Sequence, residues 1–160
     1  PGVFRCYDMT KVLQKVREAK EQADIVIAYI HWGTEYSETL ETAQTEGAKA
    51  LVDAGADVVL GAHPHCLQGM EFYEGKPILY SLGNYWFNEK TLDTVLVKLH
   101  FYGNDEEQHT EVQLLPARQE QHVTRLLTDE QEVSDWRSHM ESMEPGTVQI
   151  DEKGIISNAD

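Results

Sequence analysis

Two cysteines in 160 residues, Cys6 and Cys66, are too few for a disulfide framework. Cationic side chains are scarce as well: 13 Lys and Arg stand against 28 Asp and Glu, for a formal net charge of −15. So acidic a surface repels phosphate backbones and anionic lipid, which argues against nucleic acid as a partner. An anionic substrate would need a local positive centre, which a bound divalent cation supplies. No apolar run approaches the roughly 20 residues needed to span a bilayer. The first residues lack the basic-then-apolar pattern of a signal peptide, so an anchor or export signal would lie outside this sequence. Internal repeats, low-complexity tracts and Ser/Pro-rich linkers are also missing. What remains, with 41% hydrophobic and 26% charged residues, is a globular chain of single-domain length.

Apolar periodicity orders its first half as α-β-α-β. Val12, Leu13, Val16, Ala19 and Ala23 mark one face of a helix over 9–23 that starts near Asp8 or Thr10. A strand at 24–30 ends on His31. A second helix at 39–54 has Ala43, Ala50, Leu51 and Ala54 on its buried side and Gly55 as its C-terminal cap. A strand at 57–60 then leads into Gly61-Ala62-His63-Pro64-His65. This order calls for parallel strands joined by a helical crossover. The second half reads as strands at 70–73, 78–81, 94–101 and 110–116, with turns at Glu74-Gly75-Lys76 and Gly103-Asn104-Asp105. A helix at 129–142 opens on Thr128, with Gln131 placed for a capping box. A short strand around 148–150 and a turn at Lys153-Gly154 precede a fraying end.

The chemistry concentrates in three histidines. His31 follows the apolar run 25–30, and His63 and His65 follow Val58-Val59-Leu60. In an open α/β sheet such strand tips open onto the ligand crevice. A residue before proline is pushed towards extended geometry, where positions i and i+2 point the same way. His63 and His65 are thus expected to converge, with Gly61 letting the backbone turn. Converging imidazoles make a metal site, and His31, His63 and His65 are its candidate ligands. Glu35, on the loop after His31, is the candidate catalytic carboxylate: a ligand, a general base, or a partner that orients a histidine, with an ordinary loop acid as the alternative. Cys66 reads as a small buried residue pointing away from the histidine face. His100, His109, His122 and His139 read as surface or packing residues. In Tyr80-Ser81-Leu82-Gly83-Asn84-Tyr85-Trp86-Phe87, Ser81, Asn84 and Tyr85 are candidate substrate-binding residues. The aromatics there either wall a pocket or close one end of the core. Ser81 lacks the Gly-x-Ser-x-Gly context of a nucleophile.

Taken together, His31-Trp32-Gly33-Thr34-Glu35-Tyr36, residues 55–65, Leu67-Gln68 and Ile78 to Asn84 resemble the CapA family of bacterial capsule-synthesis proteins, over about residues 10–127. That family is associated with poly-γ-glutamate capsule production and is similar to the calcineurin-like metallophosphoesterases. The resemblance implies an α/β (α+β) fold: the C-terminal half of a layered αββα architecture. Its mixed sheet would start parallel as α-β-α-β and turn antiparallel, with residues 1–127 as the domain part and 128–160 as a helix and short strand packed on it. It implies two divalent metals in the intact protein, Mn, Fe or Zn, with His31 and His63 on one and His65 on the other. The superfamily's Asp ligands and Asn-His element have no counterpart here, since the chain contains no Asp-x-His, Gly-Asp or Asn-His. The resemblance therefore implies a missing N-terminal half, or a second chain, as partner; by itself the chain is expected to be inactive and to dimerise or be poorly soluble. It also implies an anionic polymer or phosphorylated substrate, and an extracytoplasmic, membrane-anchored place in the cell envelope. Two other readings stand beside it: a non-catalytic envelope assembly or export factor that keeps the fold, and a mononuclear three-histidine zinc hydrolase complete in this chain.

Overall fold

The computed structural model describes residues 4–5, 8–87, 89–104 and 108–159. Cys6 and Asp105, named above, lie outside them. Helix α1 (Met9–Lys20) is capped by the Asp8 carboxylate, which accepts from the Thr10 N–H. It leads to β1 (Ile27–His31), α2 (Thr42–Asp53) and β2 (Val58–Ala62). Gly55, at φ +112°, ends α2 as expected: its N–H reaches the Val52 carbonyl and the Ala56 N–H reaches that of Leu51. Then β3 (Leu67–Tyr73) and β4 (Lys76–Leu82) form a hairpin around Glu74-Gly75.

These strands make one mixed sheet in the order β1-β2-β4-β3, with β1, β2 and β4 parallel and β3 antiparallel at the far edge. Its two faces follow the alternation of side chains along each strand. Val59, Ile78 and Tyr80 face α1 and α2, packing with Val12, Val16 and Leu51. Val58, Leu60 and Leu79 face the other way, onto a second, antiparallel sheet of β5 (Leu92–Gly103), β6 (Gln108–Glu120) and β7 (Val123–Leu126). Helix α3 (Glu130–Ser142) and the ribbon of β8 (Val148–Ile150) and β9 (Ile156–Asn158) close that same core through Trp136, Met140 and Ile150. The fold is thus mixed α/β, parallel in its first half and antiparallel in its second.

Several boundaries differ from the sequence reading. Asp129, not Thr128, caps α3, because its carboxylate accepts from the Gln131 and Glu132 N–H groups. Strand β6 continues through Pro116, whose carbonyl accepts from Leu127 just past the end of β7. The edge on which proline lacks a donor therefore faces no continuing ladder. Strands β7 and β9 went unread, and the end expected to fray instead pairs with β8.

Candidate metal centre

All three parallel strands end at the same place. In register, His31 at the tip of β1 lies beside Ala62 at the tip of β2, and β4 runs into Leu82-Gly83-Asn84 next to them. His31 and His63 have ring centroids 4.5 Å apart, and those of His63 and His65 are 5.8 Å apart. The sequence reading had the two imidazoles of His63 and His65 converge through extended backbone. Instead, His63 has φ +103° and His65 φ +58°, so left-handed geometry on both sides of Pro64 turns the rings together. The role expected of Gly61 also changes. It sits inside β2, and a Cβ there would lie 1.9 Å from the Tyr80 carbonyl oxygen and 2.6 Å from Trp32 Nε1. Its hydrogen leaves room for the Trp32 indole N–H to cross β2 and donate to Tyr80 O at 3.0 Å.

The loop after β1 is fastened to the His-Pro-His turn on both sides of Glu35. The Trp32 N–H donates to Ala62 O at 3.0 Å and the Tyr36 N–H, from a residue at φ +61°, to Pro64 O at 2.6 Å. Ligand atoms of Glu35, His63 and His65 consequently all lie within 4.8 Å of one another. Beneath the loop, two glutamines hold it in place: Gln68, part of the family motif but given no role from the sequence, and Gln44. Gln68 Nε2 donates to Ser37 O at 2.9 Å, its Oε1 accepts from Gln44 Nε2 at 2.8 Å, and Gln44 Oε1 accepts from the Glu41 N–H. A polar residue inside the apolar run Leu67-Gln68-Gly69-Met70 is the sequence signal for this supporting role.

Asn84 is buried and binds His65 twice: its Oδ1 lies 2.7 Å from His65 Nδ1 and its Nδ2 donates to His65 O. The carbonyl contact orients the amide so that its oxygen faces Nδ1, an arrangement that suits the tautomer of the neutral ring with the proton on Nδ1 and the lone pair on Nε2. Phe87, rather than Tyr85, stacks on the His65 ring at 4.2 Å, and Tyr36 flanks it at 5.8 Å. Tyr85 and Trp86 are exposed, so these aromatics do not close the core. Ser81 is buried; its hydroxyl donates to Cys66 O at 2.7 Å and accepts from the Gly83 N–H, holding the β4 tip against the turn. Burial, with the Glu38 carboxylate nearby, pushes the Cys66 thiol up to about 11 and keeps it protonated. Desolvation, with the His63 and His65 rings beside it, lowers the His31 pKa and favours the neutral imidazole that a metal ion binds. Among the histidines read as surface residues, His100 and His122 lie on the second sheet and its turn, and His139 on α3 meets Glu38 at 3.2 Å.

The donor set fits a divalent cation. The side chains of Glu35, His31 and His63 make no hydrogen bond or ion pair among the described residues, and His65 presents a second ring nitrogen. A cleft of about 670 Å³ at the opposite end of β2 offers no such set: its Asp57 is already paired with Lys20 and Lys76.

Fold and cluster together define an α/β protein with imidazoles and a carboxylate gathered at the tips of parallel strands. The chain belongs to the family of bacterial capsule synthesis proteins, whose family model, described as "Bacterial capsule synthesis protein PGA_cap", matches residues 3–89. It is 42% identical over 107 residues to the PGA biosynthesis protein CapA of Bacillus subtilis, covering 65% of this chain and 28% of that protein. Against the capsule biosynthesis protein CapA of Bacillus anthracis it is 41% identical over 100 residues, covering 60% and 24%. A probable polyglutamine synthesis accessory protein of Mycobacterium tuberculosis is 34% identical over 90 residues, covering 52% and 24%. These alignments thus span about a quarter of each relative's length. No helix among the described residues is long and apolar enough to cross a membrane.

Proposed function

We propose that the chain serves capsule biosynthesis, of the poly-γ-glutamate type, by supplying the histidine wall of a metal-dependent hydrolase site of phosphoesterase kind. The observation that carries this reading is the convergence of His31, His63 and His65 at the tips of two parallel strands, with Glu35 fastened beside them. The three imidazoles would hold divalent metal, Mn, Fe or Zn, two ions in the intact protein, and Glu35 would be the chain's own catalytic carboxylate. Bound metal supplies an activated water and a positive clamp for an oxyanion. Asn84 keeps the proton of His65 on Nδ1. Ser81 fixes the strand tip, and Phe87 stacks on the His65 ring while Tyr36 flanks it. In a chain of net charge −15, the metal would be the local positive centre that an anionic polymer or phosphorylated substrate requires.

The remaining carboxylates would come from another segment or a second chain. In support, β1 is an edge strand that leaves Ile27 and Tyr29 exposed. A membrane-anchored, extracytoplasmic place in the cell envelope accords with the capsule relatives. Metal analysis of the protein and its His63→Ala, His65→Ala double variant tests the assignment: loss of metal is expected, and unchanged content refutes it. Turnover of a generic phosphoester with added Mn²⁺, abolished by His31→Ala, separates an enzyme from a non-catalytic assembly factor, which would bind metal without turnover.

A further inference from the structure

We infer that Glu35 is a direct metal ligand, completing a two-histidine, one-carboxylate set with His63 and His65. The inference rests on the metal-site reading above and assigns within it the role of the one carboxylate this chain brings to the cluster. Three observations carry it. Ligand atoms of Glu35, His63 and His65 lie within 4.8 Å of one another. Donors sharing one ion at roughly 2.1 Å sit about 3.4 Å apart in a tetrahedral arrangement, and the Glu35 side chain is exposed and free to adjust its rotamer towards the imidazoles. Glu35 is placed there by its loop rather than by contacts of its own side chain. The bonds from Trp32 to Ala62 and from Tyr36 to Pro64 bracket it, and the buried Gln44–Gln68 pair supports the loop from below.

The third observation is what the carboxylate lacks. Although the loop fixes it beside two imidazoles, it has no hydrogen bond or ion pair among the described residues. The neighbouring acids are engaged: Glu38 meets His139 at 3.2 Å and Glu41 accepts from the Thr34 hydroxyl at 2.5 Å. Three of the six non-glycine residues with positive φ among the described residues, Tyr36, His63 and His65, surround this one point. Such conformations persist where the surrounding structure over-determines them, and they cluster at binding sites. Two neutral imidazoles and one carboxylate on a divalent ion leave a single net positive charge and open coordination positions. A general base, by contrast, would stand off the ion with a water between.

The test is divalent-ion affinity, read from the visible absorption of Co²⁺ and by competition with Zn²⁺ and Mn²⁺ against a chromophoric chelator. Glu35→Gln and Glu35→Ala are expected to weaken Co²⁺ binding at least tenfold and to change its absorption bands, since even residues that only orient ligands cost roughly 10- to 100-fold. Glu38→Gln, on the same loop, is expected to bind as the parent does. Circular dichroism confirms that each variant is folded; Glu35 is exposed, so its replacement leaves the core intact. Parent-like Co²⁺ affinity and spectrum in both Glu35 variants, with binding lost in the His63→Ala, His65→Ala variant, would overturn the ligand role and leave the metal site standing. Parent-like binding in the double histidine variant would overturn both.

Discussion

Gln44 and Gln68, each about 1% exposed, are joined side chain to side chain at 2.8 Å beneath the loop that carries Glu35. The pair links α2 to β3 and passes its remaining hydrogen bonds to the loop backbone at Glu41 and Ser37. Buried polar groups with every bond satisfied rigidify a structure, and removing one partner strands the others. Gln68→Leu is therefore expected to destabilise the protein by about 2–3 kcal/mol in urea titrations and to speed amide exchange across residues 33–41. The Gln44→Leu, Gln68→Leu double variant should lose less than the sum of the single losses, because it removes both orphaned amides. Strict additivity would show that the two side chains do not act as a unit.

Asn84 Oδ1 faces His65 Nδ1 at 2.7 Å, the contact that would hold the ring proton there and leave Nε2 available. Asn84→Ala is expected to leave the fold intact and lower Zn²⁺ affinity roughly 10- to 100-fold. Asn84→Asp, which restores the acceptor, should recover it. Nitrogen chemical shifts of the His65 ring give the tautomer directly: the shift pattern of an Nδ1-protonated ring should be lost in Asn84→Ala and return in Asn84→Asp.

Gly61→Ala drives a methyl group into the Tyr80 carbonyl oxygen, 1.9 Å away, and into the Trp32 indole. Backbone cannot yield as a flexible side chain can, so a loss of about 3 kcal/mol or more is expected. Gly75→Ala, with nothing within 4 Å of the new Cβ but φ at +72°, should cost only about 1 kcal/mol. Comparing the two melting transitions separates steric collision from backbone strain.

Asp57 should dominate the acid limb of stability. Burial opposes its charge, but hydrogen bonds from Lys20 and the Val26 N–H, and the Lys76 ammonium, outweigh burial and hold its pKa below the usual carboxylate value. A depressed folded-state pKa means stability that is present above the unfolded value of about 3.9 and lost as pH falls through the folded one. Unfolding free energy should therefore decline from near pH 4 downwards. Asp57→Asn should flatten that decline while costing about 3 kcal/mol at pH 7, where two lysines lose their shared partner.

Much of this fold was legible because it is written locally. The helical spacing of Val12 and Val16, the Gly55 cap and the Glu74-Gly75 hairpin depend on residues within a few positions of one another. Strands β7 and β9 are short ribbons with little alternation, recruited by pairing with β6 and β8, and they left no periodic trace. The site divides in the same way. That His31, His63 and His65 sit at strand tips could be read from the apolar runs preceding them. How they converge could not, since the extended geometry expected before proline gives way to left-handed turns at His63 and His65.

The sequence by itself determined the α-β-α-β start, the family and the residues worth watching, because helix periods, strand runs and motif spacing are properties of neighbouring positions. Only the tertiary structure decided that Glu35 comes within reach of His63 and His65, that the Asn84 amide meets His65 Nδ1, and that Gln44 and Gln68 support the loop. Those relations bring together strand tips and loops up to 31 positions apart, through hydrogen bonds and backbone torsions that appear only when parallel strands align in register.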